Sequence, residues 1–135
     1  MLLSPRTATL EAKISPYVYP GIELARGELE MGLFVRDVCA RLDIEFSGVV
    51  GPRRHRKYVE VRQACYYALV RREKKTTISV GKYFDRDHAS VIHGCKVWAN
   101  LLSVNDTRAW QIQSAINLAY IDHYERKKNG QEKNL

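Results

Sequence analysis

Two short stretches of the sequence carry side chains whose types and spacing could do chemistry on a polyanion. Arg53-Arg54-His55-Arg56-Lys57 is a cationic run with no apolar periodicity, directly after the chain breakers Gly51 and Pro52. Arg86-Asp87-His88-Ala89-Ser90 sets a guanidinium, a carboxylate, an imidazole and a hydroxyl where an apolar helical pattern begins. The first suits electrostatic capture of a polyanion, because clustered cations hold a local positive potential. The second suits base readout. A carboxylate accepts from cytosine N4, an imidazole contacts guanine or phosphate, and free N–H groups at a helix N-terminus meet phosphate. Each has a plainer reading. Charge runs are commonly solvated loops, and Asp87 could simply cap its helix by accepting from the Ser90 N–H.

The overall charge sharpens the first reading. The chain has 135 residues, a net charge of +7 and a pI near 9.5. The stretch from Arg53 to Lys75 holds nine Lys and Arg against two Glu, so it carries the whole of that excess. A protein made basic for solubility alone would spread it. The partner implied is anionic: nucleic acid, an acidic protein or an anionic membrane. An acid–base enzyme built on Asp87 and His88 is set aside. Adjacent helical residues do not face one another, and no nucleophile or metal set accompanies them. No catalytic residue, no metal site, no cofactor and no small-molecule substrate are expected.

Positioning these stretches requires helices. Met31, Phe34, Val35, Val38 and Leu42 follow one helical face. A short helix is expected over Ser47 to Val50 with Ser47 as its cap. A long one is expected from Tyr58 to about Lys74, with Val61, Cys65, Ala68 and Leu69 inward. Thr76 or Thr77 caps the next, whose inward residues are read as Ile78, Gly81 and Phe84. Asp85-Arg86-Asp87 is a tight turn. His88 to about Ser103 is helical with a stripe of Val91, Cys95, Trp98 and Leu102. Asn105 or Asp106 caps a last helix with Ala109, Ile112, Ile116, Ala119 and Tyr120 inward. The fold class read from this is all-α, a small bundle of five to six helices containing a helix-turn-helix of the Trp-repressor kind. The two helices meeting at residue 85 form the helix-turn-helix, and the first turn of the second can enter the major groove. His93 is read as a packing residue or a support to the contacting side chains rather than a reader of bases, Tyr66 and Tyr67 as packing residues, the cysteines and Trp98 as core.

The expected organisation is an arm over 1–27, a helical domain over 28–125 and a polar tail over 126–135. The arm carries Pro5, Pro16 and Pro20, which disfavour helix interiors. Cys39, Cys65 and Cys95 are odd in number and widely spaced, with no CxxC pair. A disulfide framework and a zinc site are not expected, and a reducing cytoplasm is. No signal peptide or membrane-spanning run is read.

The run Ile78-Ser79-Val80-Gly81-Lys82-Tyr83-Phe84-Asp85-Arg86-Asp87-His88-Ala89-Ser90-Val91-Ile92-His93 resembles the signature of the C-terminal DNA-binding domain of the bacterial replication initiator DnaA. That signature reads Ile-Gly, Phe, then Arg-Asp-His-Thr-Thr-Val and a following His. Arg53-Arg54-His55-Arg56, leading to Arg62-Gln63, resembles the same family's basic loop and Arg-Gln pair. The resemblance runs from about Val35 to Leu102. It implies that Arg54 enters the minor groove and that Arg62 and Gln63 hold phosphates. It also implies that Arg86, Asp87, His88, Ala89 and Ser90 face the major groove or its flanking backbone. Arg53, Arg56 and Lys57 complete the DNA-binding set. Two departures stand out. Asp85 alone fills the place of two glycines, and Ala89 replaces the first Thr, keeping a methyl that could touch thymine. No G-x-x-x-x-G-K-[ST] loop is present, so ATP-driven origin melting is not expected of this chain. The function expected is sequence-specific binding of double-stranded DNA, as a transcription regulator or an origin-site binder, bacterial or phage, on the nucleoid. The alternative is an adaptor for an acidic replication or transcription protein, docked in part through Tyr17, Val18 and Tyr19.

Overall fold

The computed structural model describes residues 26–126, and within them lie six helices and no strand. Helix α1 spans Arg26–Leu42 and α2 spans Phe46–Val50. Helix α3 spans Arg56–Tyr67 and runs on as a wider π-turn over Ala68–Arg72. Helices α4, α5 and α6 span Thr77–Phe84, His88–Ser103 and Thr107–Tyr120, and α6 continues as a π-turn over Ile121–Glu125. This is an all-α bundle containing a helix-turn-helix. The arm expected over 1–27 lies outside the described residues, except that Arg26 and Gly27 already belong to α1. The expected tail lies outside them beyond Arg126.

Local chemistry sets the helix ends. Thr76, Asp87 and Asp106 each accept from the backbone N–H three residues on, at 3.0, 2.9 and 2.8 Å. Each therefore satisfies a donor that the first turn leaves without a partner. Asp43, Lys74, Asp85 and Asn105 stand in left-handed backbone just past helix ends, a conformation that Asp and Asn tolerate better than most residues. Ser47 is not a cap. Helix α2 begins one residue earlier, and its first turn closes on the Glu45 carbonyl, which accepts from Gly48 and Val49. A second correction concerns α4, where Ile78 is 70% exposed and Val80 and Tyr83 are buried beside Gly81 and Phe84. Three-residue steps drift by about 60° each on a helix of 3.6 residues per turn. A stripe drawn through 78, 81 and 84 therefore leaves the buried face.

The core gathers around Trp98, Phe34, Phe84, Met31, Leu69 and Ile116, all fully buried. Helix α5 packs most broadly along α3 and next along α4, while α6 lies against α1. A polar relay crosses this core. Trp98 Nε1 donates to Gln113 Oε1 at 2.8 Å, and Gln113 Nε2 donates to Asn117 Oδ1 at 2.9 Å. Arg72 Nη1 donates to the same Asn117 oxygen at 2.8 Å.

The three cysteines are free and buried. Burial pushes the Cys39 thiol up to about 12 and raises Cys65 and Cys95 as well. Thiolate is the reactive form. Native protein at pH 8 should therefore take up no iodoacetamide by intact mass, and three adducts once unfolded in guanidinium; labelling of the native state would contradict the packing.

Candidate nucleic-acid interface

The helix-turn-helix turn is built with no slack. Asp85 ends α4 at φ 58°, ψ 48°. Its N–H meets the Lys82 carbonyl at 3.2 Å, and the Arg86 N–H meets the Gly81 carbonyl at 2.8 Å. This is the Schellman pattern of a helix C-terminus, with Asp where glycine is usual. Gly81 has a specific reason to be glycine. A Cβ there would stand 2.5 Å from the Arg86 carbonyl oxygen, and that oxygen is backbone and cannot swing aside. One left-handed residue, Asp85, thus makes the whole turn where the resembled signature has two glycines. The chain enters α5 at once through its cap, Asp87.

Asp87, His88, Ala89 and Ser90 are all exposed at the start of α5. Hydrogen bonds from the Ser90 amide and hydroxyl hold the Asp87 carboxyl below its ordinary 3.8, and the neighbouring His88 charge adds to this. Asp87 is therefore an anion at neutral pH, so the capping reading holds whatever else it contacts. Val91, Cys95 and Trp98 then turn into the core, and Leu102 is half-buried. Helix α5 is thus polar and open at its first turn and presents an apolar face to the core beyond it.

Arg53, Arg54, His55, Arg56 and Lys57 are likewise exposed. Only the first three precede α3, for Arg56 and Lys57 form the beginning of that helix. Two cations sit at the positive end of a helix dipole with no acidic residue in the first turn, an arrangement an anion would stabilise. Glu60, nearly buried, offsets part of it by pairing with Arg56 at 3.5 Å and with Arg108 of α6 at 2.6 Å. Tyr58 anchors the stretch. Arg53 and Lys57 lie over its ring at 5.8 and 5.0 Å from the centroid, and the ring fills the space that Gly48 leaves open.

Arg62 is placed differently from its expected phosphate-holding role. It is 5% exposed, and its guanidinium donates to four backbone carbonyls. Nε reaches Val49 at 2.8 Å, and Nη2 reaches Gly48 at 3.1, Gly51 at 3.4 and Arg53 at 2.8 Å. Burial, with the Arg86 charge adding to it, lowers its pKa from 12.5 to about 10, so it stays protonated at neutral pH. Arg86 also points inward, donating to the Phe84 carbonyl and to the Gly51 carbonyl, both at 2.8 Å. The long aliphatic stem of arginine lets it turn in as readily as out, a choice that residue type alone does not reveal.

The two stretches meet across one cleft. A cavity of about 290 Å³ is lined by Arg54 of the loop, Arg62, Gln63 and Tyr66 of α3, Arg86 of the turn, and Ser90 and His93 of α5. A second, of about 260 Å³, lies between Pro52, Arg54, Arg62, Asp85 and Arg86. His93, read from sequence as a packing or supporting residue, is exposed and shares the cleft with Ser90. The signal was their three-residue spacing, which sets both on one helix face. Tyr66 does pack as expected, edge-on to Phe84 at 5.0 Å. Arg53, Arg56 and Lys57 line neither cavity. Arg72, about 24 Å along the helix axis from Arg56, sits over the Tyr120 ring and pairs with Glu125.

Among the described residues there is no cluster of three or more candidate metal ligands, and no helix is long and apolar enough to cross a membrane.

Residues 34–97 match the family described as the bacterial dnaA protein helix-turn-helix. Curated relatives include chromosomal replication initiator proteins DnaA. That of Mycoplasma pneumoniae is 29% identical over 75 residues, 56% of this chain and 17% of the relative. That of Bacteroides thetaiotaomicron is 30% identical over 82 residues, 60% and 17%. That of Bacteroides fragilis is 35% identical over 60 residues, 44% and 13%. The chain thus spans about a sixth of the length of the first two relatives. No solved structure matches it significantly.

Proposed function

We propose, from the premise that residues 34–97 are a helix-turn-helix module of the bacterial DnaA family, that this protein binds double-stranded DNA at a specific site. The first turn of α5 is set in the major groove, with Asp87, His88, Ala89 and Ser90 toward base edges and the flanking backbone. Arg54 enters the adjoining minor groove, while Arg53, Arg56, Lys57 and Gln63 meet phosphates. Arg62 and Arg86 support these contacts from inside. A helix-turn-helix module of this kind is not itself catalytic. The role proposed is occupancy of initiator-type sites in replication or transcription control, on DNA in the cytoplasm.

The observation that carries this reading is the shared cleft. Arg54 and Ser90 come from elements 36 residues apart, yet they line one cavity. A basic loop and a polar helix start are thereby presented together, as two grooves and the phosphates between them require.

Selection of bound duplexes from a random pool tests it, and a single enriched motif is the expected result. On that motif, His88→Ala should weaken binding by roughly 1–3 kcal/mol and leave a scrambled duplex unaffected. Lys57→Ala should weaken both alike and reduce the salt dependence by about one counterion. Equal losses on both duplexes from His88→Ala, or no enriched motif at all, would overturn the groove assignment. Retention of the protein by an acidic protein alone would favour the adaptor reading.

A further inference from the structure

We infer that Arg62 and Arg86 are positioning residues that tie the minor-groove loop to the major-groove helix through one backbone oxygen, the Gly51 carbonyl. The inference rests on the DNA-binding reading above and goes beyond it, since that reading requires only that the two grips exist.

The geometry begins with helix ends. The last carbonyls of a helix have no intrahelical partner, and in α2, five residues long, Gly48 and Val49 belong to that end. Arg62 collects them. Its guanidinium takes the carbonyls of Gly48 and Val49 at the end of α2, then those of Gly51 and Arg53 in the loop that follows. Arg86 does the same for α4, taking the Phe84 carbonyl with Nη1. Its Nη2 crosses to Gly51, 35 residues earlier in the chain, at 2.8 Å. Gly51 is therefore the acceptor common to both arginines. The loop that carries Arg54 and the turn that launches α5 are linked through it.

The chemistry favours holding over contact. A guanidinium offers five N–H groups in a rigid fork, which an ammonium cannot imitate. Hydrogen bonds with one charged partner are the stronger kind. Arg62 is 5% exposed, so its charge is screened from a phosphate by the same carbonyls it binds. Arg54 and Arg62 both share the two cavities with Arg86, but of the two only Arg54 is exposed. It is the reader whose placement the tie controls.

The test uses Arg86→Lys, which keeps the charge and loses the fork and touches less of the interior than a change at Arg62. On the selected duplex, Arg54→Ala is measured in the wild-type and in the Arg86→Lys background. Positioning predicts strong coupling. Arg54→Ala should lose about tenfold or more in wild type, as expected for losing a hydrogen bond with a charged partner, and under about threefold once Arg86 is lysine. The salt dependence of Arg86→Lys should equal that of wild type. A second readout needs no DNA. The backbone order parameters of Gly51, Arg53 and Arg54 should fall from about 0.85 toward 0.6 in Arg86→Lys, with those of α5 beyond Val91 unchanged. Additive losses, or unchanged order parameters in the loop, would overturn the tie while leaving DNA binding intact. Failure of the wild-type protein to retain any duplex would instead strike the functional reading, and the order parameters would still decide the tie.

Discussion

The complex with the preferred duplex should weaken by about 150-fold when monovalent salt rises from about 50 to about 200 mM, on the counterion-release slope of roughly −0.9 per neutralised phosphate. Four cations justify that figure: Arg53, Arg54, Arg56 and Lys57 are exposed in the loop and at the start of α3. Arg62 and Arg86 are left out because their guanidiniums are engaged with backbone carbonyls. The count is decisive because the dependence is steep. If those two arginines also met phosphates, six contacts would give a loss above about a thousandfold over the same range. A fluorescence anisotropy titration at several salt concentrations separates these outcomes. A flat salt response would remove the nucleic-acid reading altogether.

The largest expected effect on the fold lies at Trp98. It is fully buried between α5 and its neighbours, and its indole N–H is held by Gln113 of α6 at 2.8 Å. Trp98→Ala should cost about 3–5 kcal/mol through lost burial and the cavity left behind. Native stabilities lie at roughly 5–15 kcal/mol, so this one change takes a large share of the total. Urea unfolding followed by circular dichroism should show the midpoint falling with the slope unchanged. Trp98→Phe separates the two contributions. It keeps most of the ring volume but leaves the Gln113 oxygen without its donor, at a cost of about 1–3 kcal/mol. If the two variants unfolded alike, the hydrogen bond rather than the volume would be what matters there.

Much of this architecture was legible in the residues. Helix α5 runs from His88 to Ser103, as its apolar stripe indicates, and Asp87 caps it. Thr76 and Asp106 cap α4 and α6, each at one of the two positions the sequence left open. These features depend on neighbours a few residues away, and such interactions are written in spacing. The misses share a different cause. Ser47 reads as a cap, yet the first turn of α2 closes on backbone groups alone. Arg62 lies in a basic stretch that suggests an outward face, and only the position of α2 in space supplies the carbonyls that draw it in. Arg72 belongs to the same stretch by composition, but it serves Asn117 and Glu125 at the far end of α3. A run of charge gives a total and no directions. Side chains as long as arginine find their partners in tertiary structure.

The brevity of the turn between α4 and α5 carries one more implication. With a single residue, Asp85, bearing the left-handed bend and Gly81 packed against the Arg86 carbonyl, the two helices are joined with little slack. On the proposed DNA-binding reading, such a module would meet the double helix as a stiff template, and any mismatch in curvature would fall to the nucleic acid. The energy of bending or twisting a duplex depends on its base steps. Discrimination would then extend to base pairs that no side chain touches.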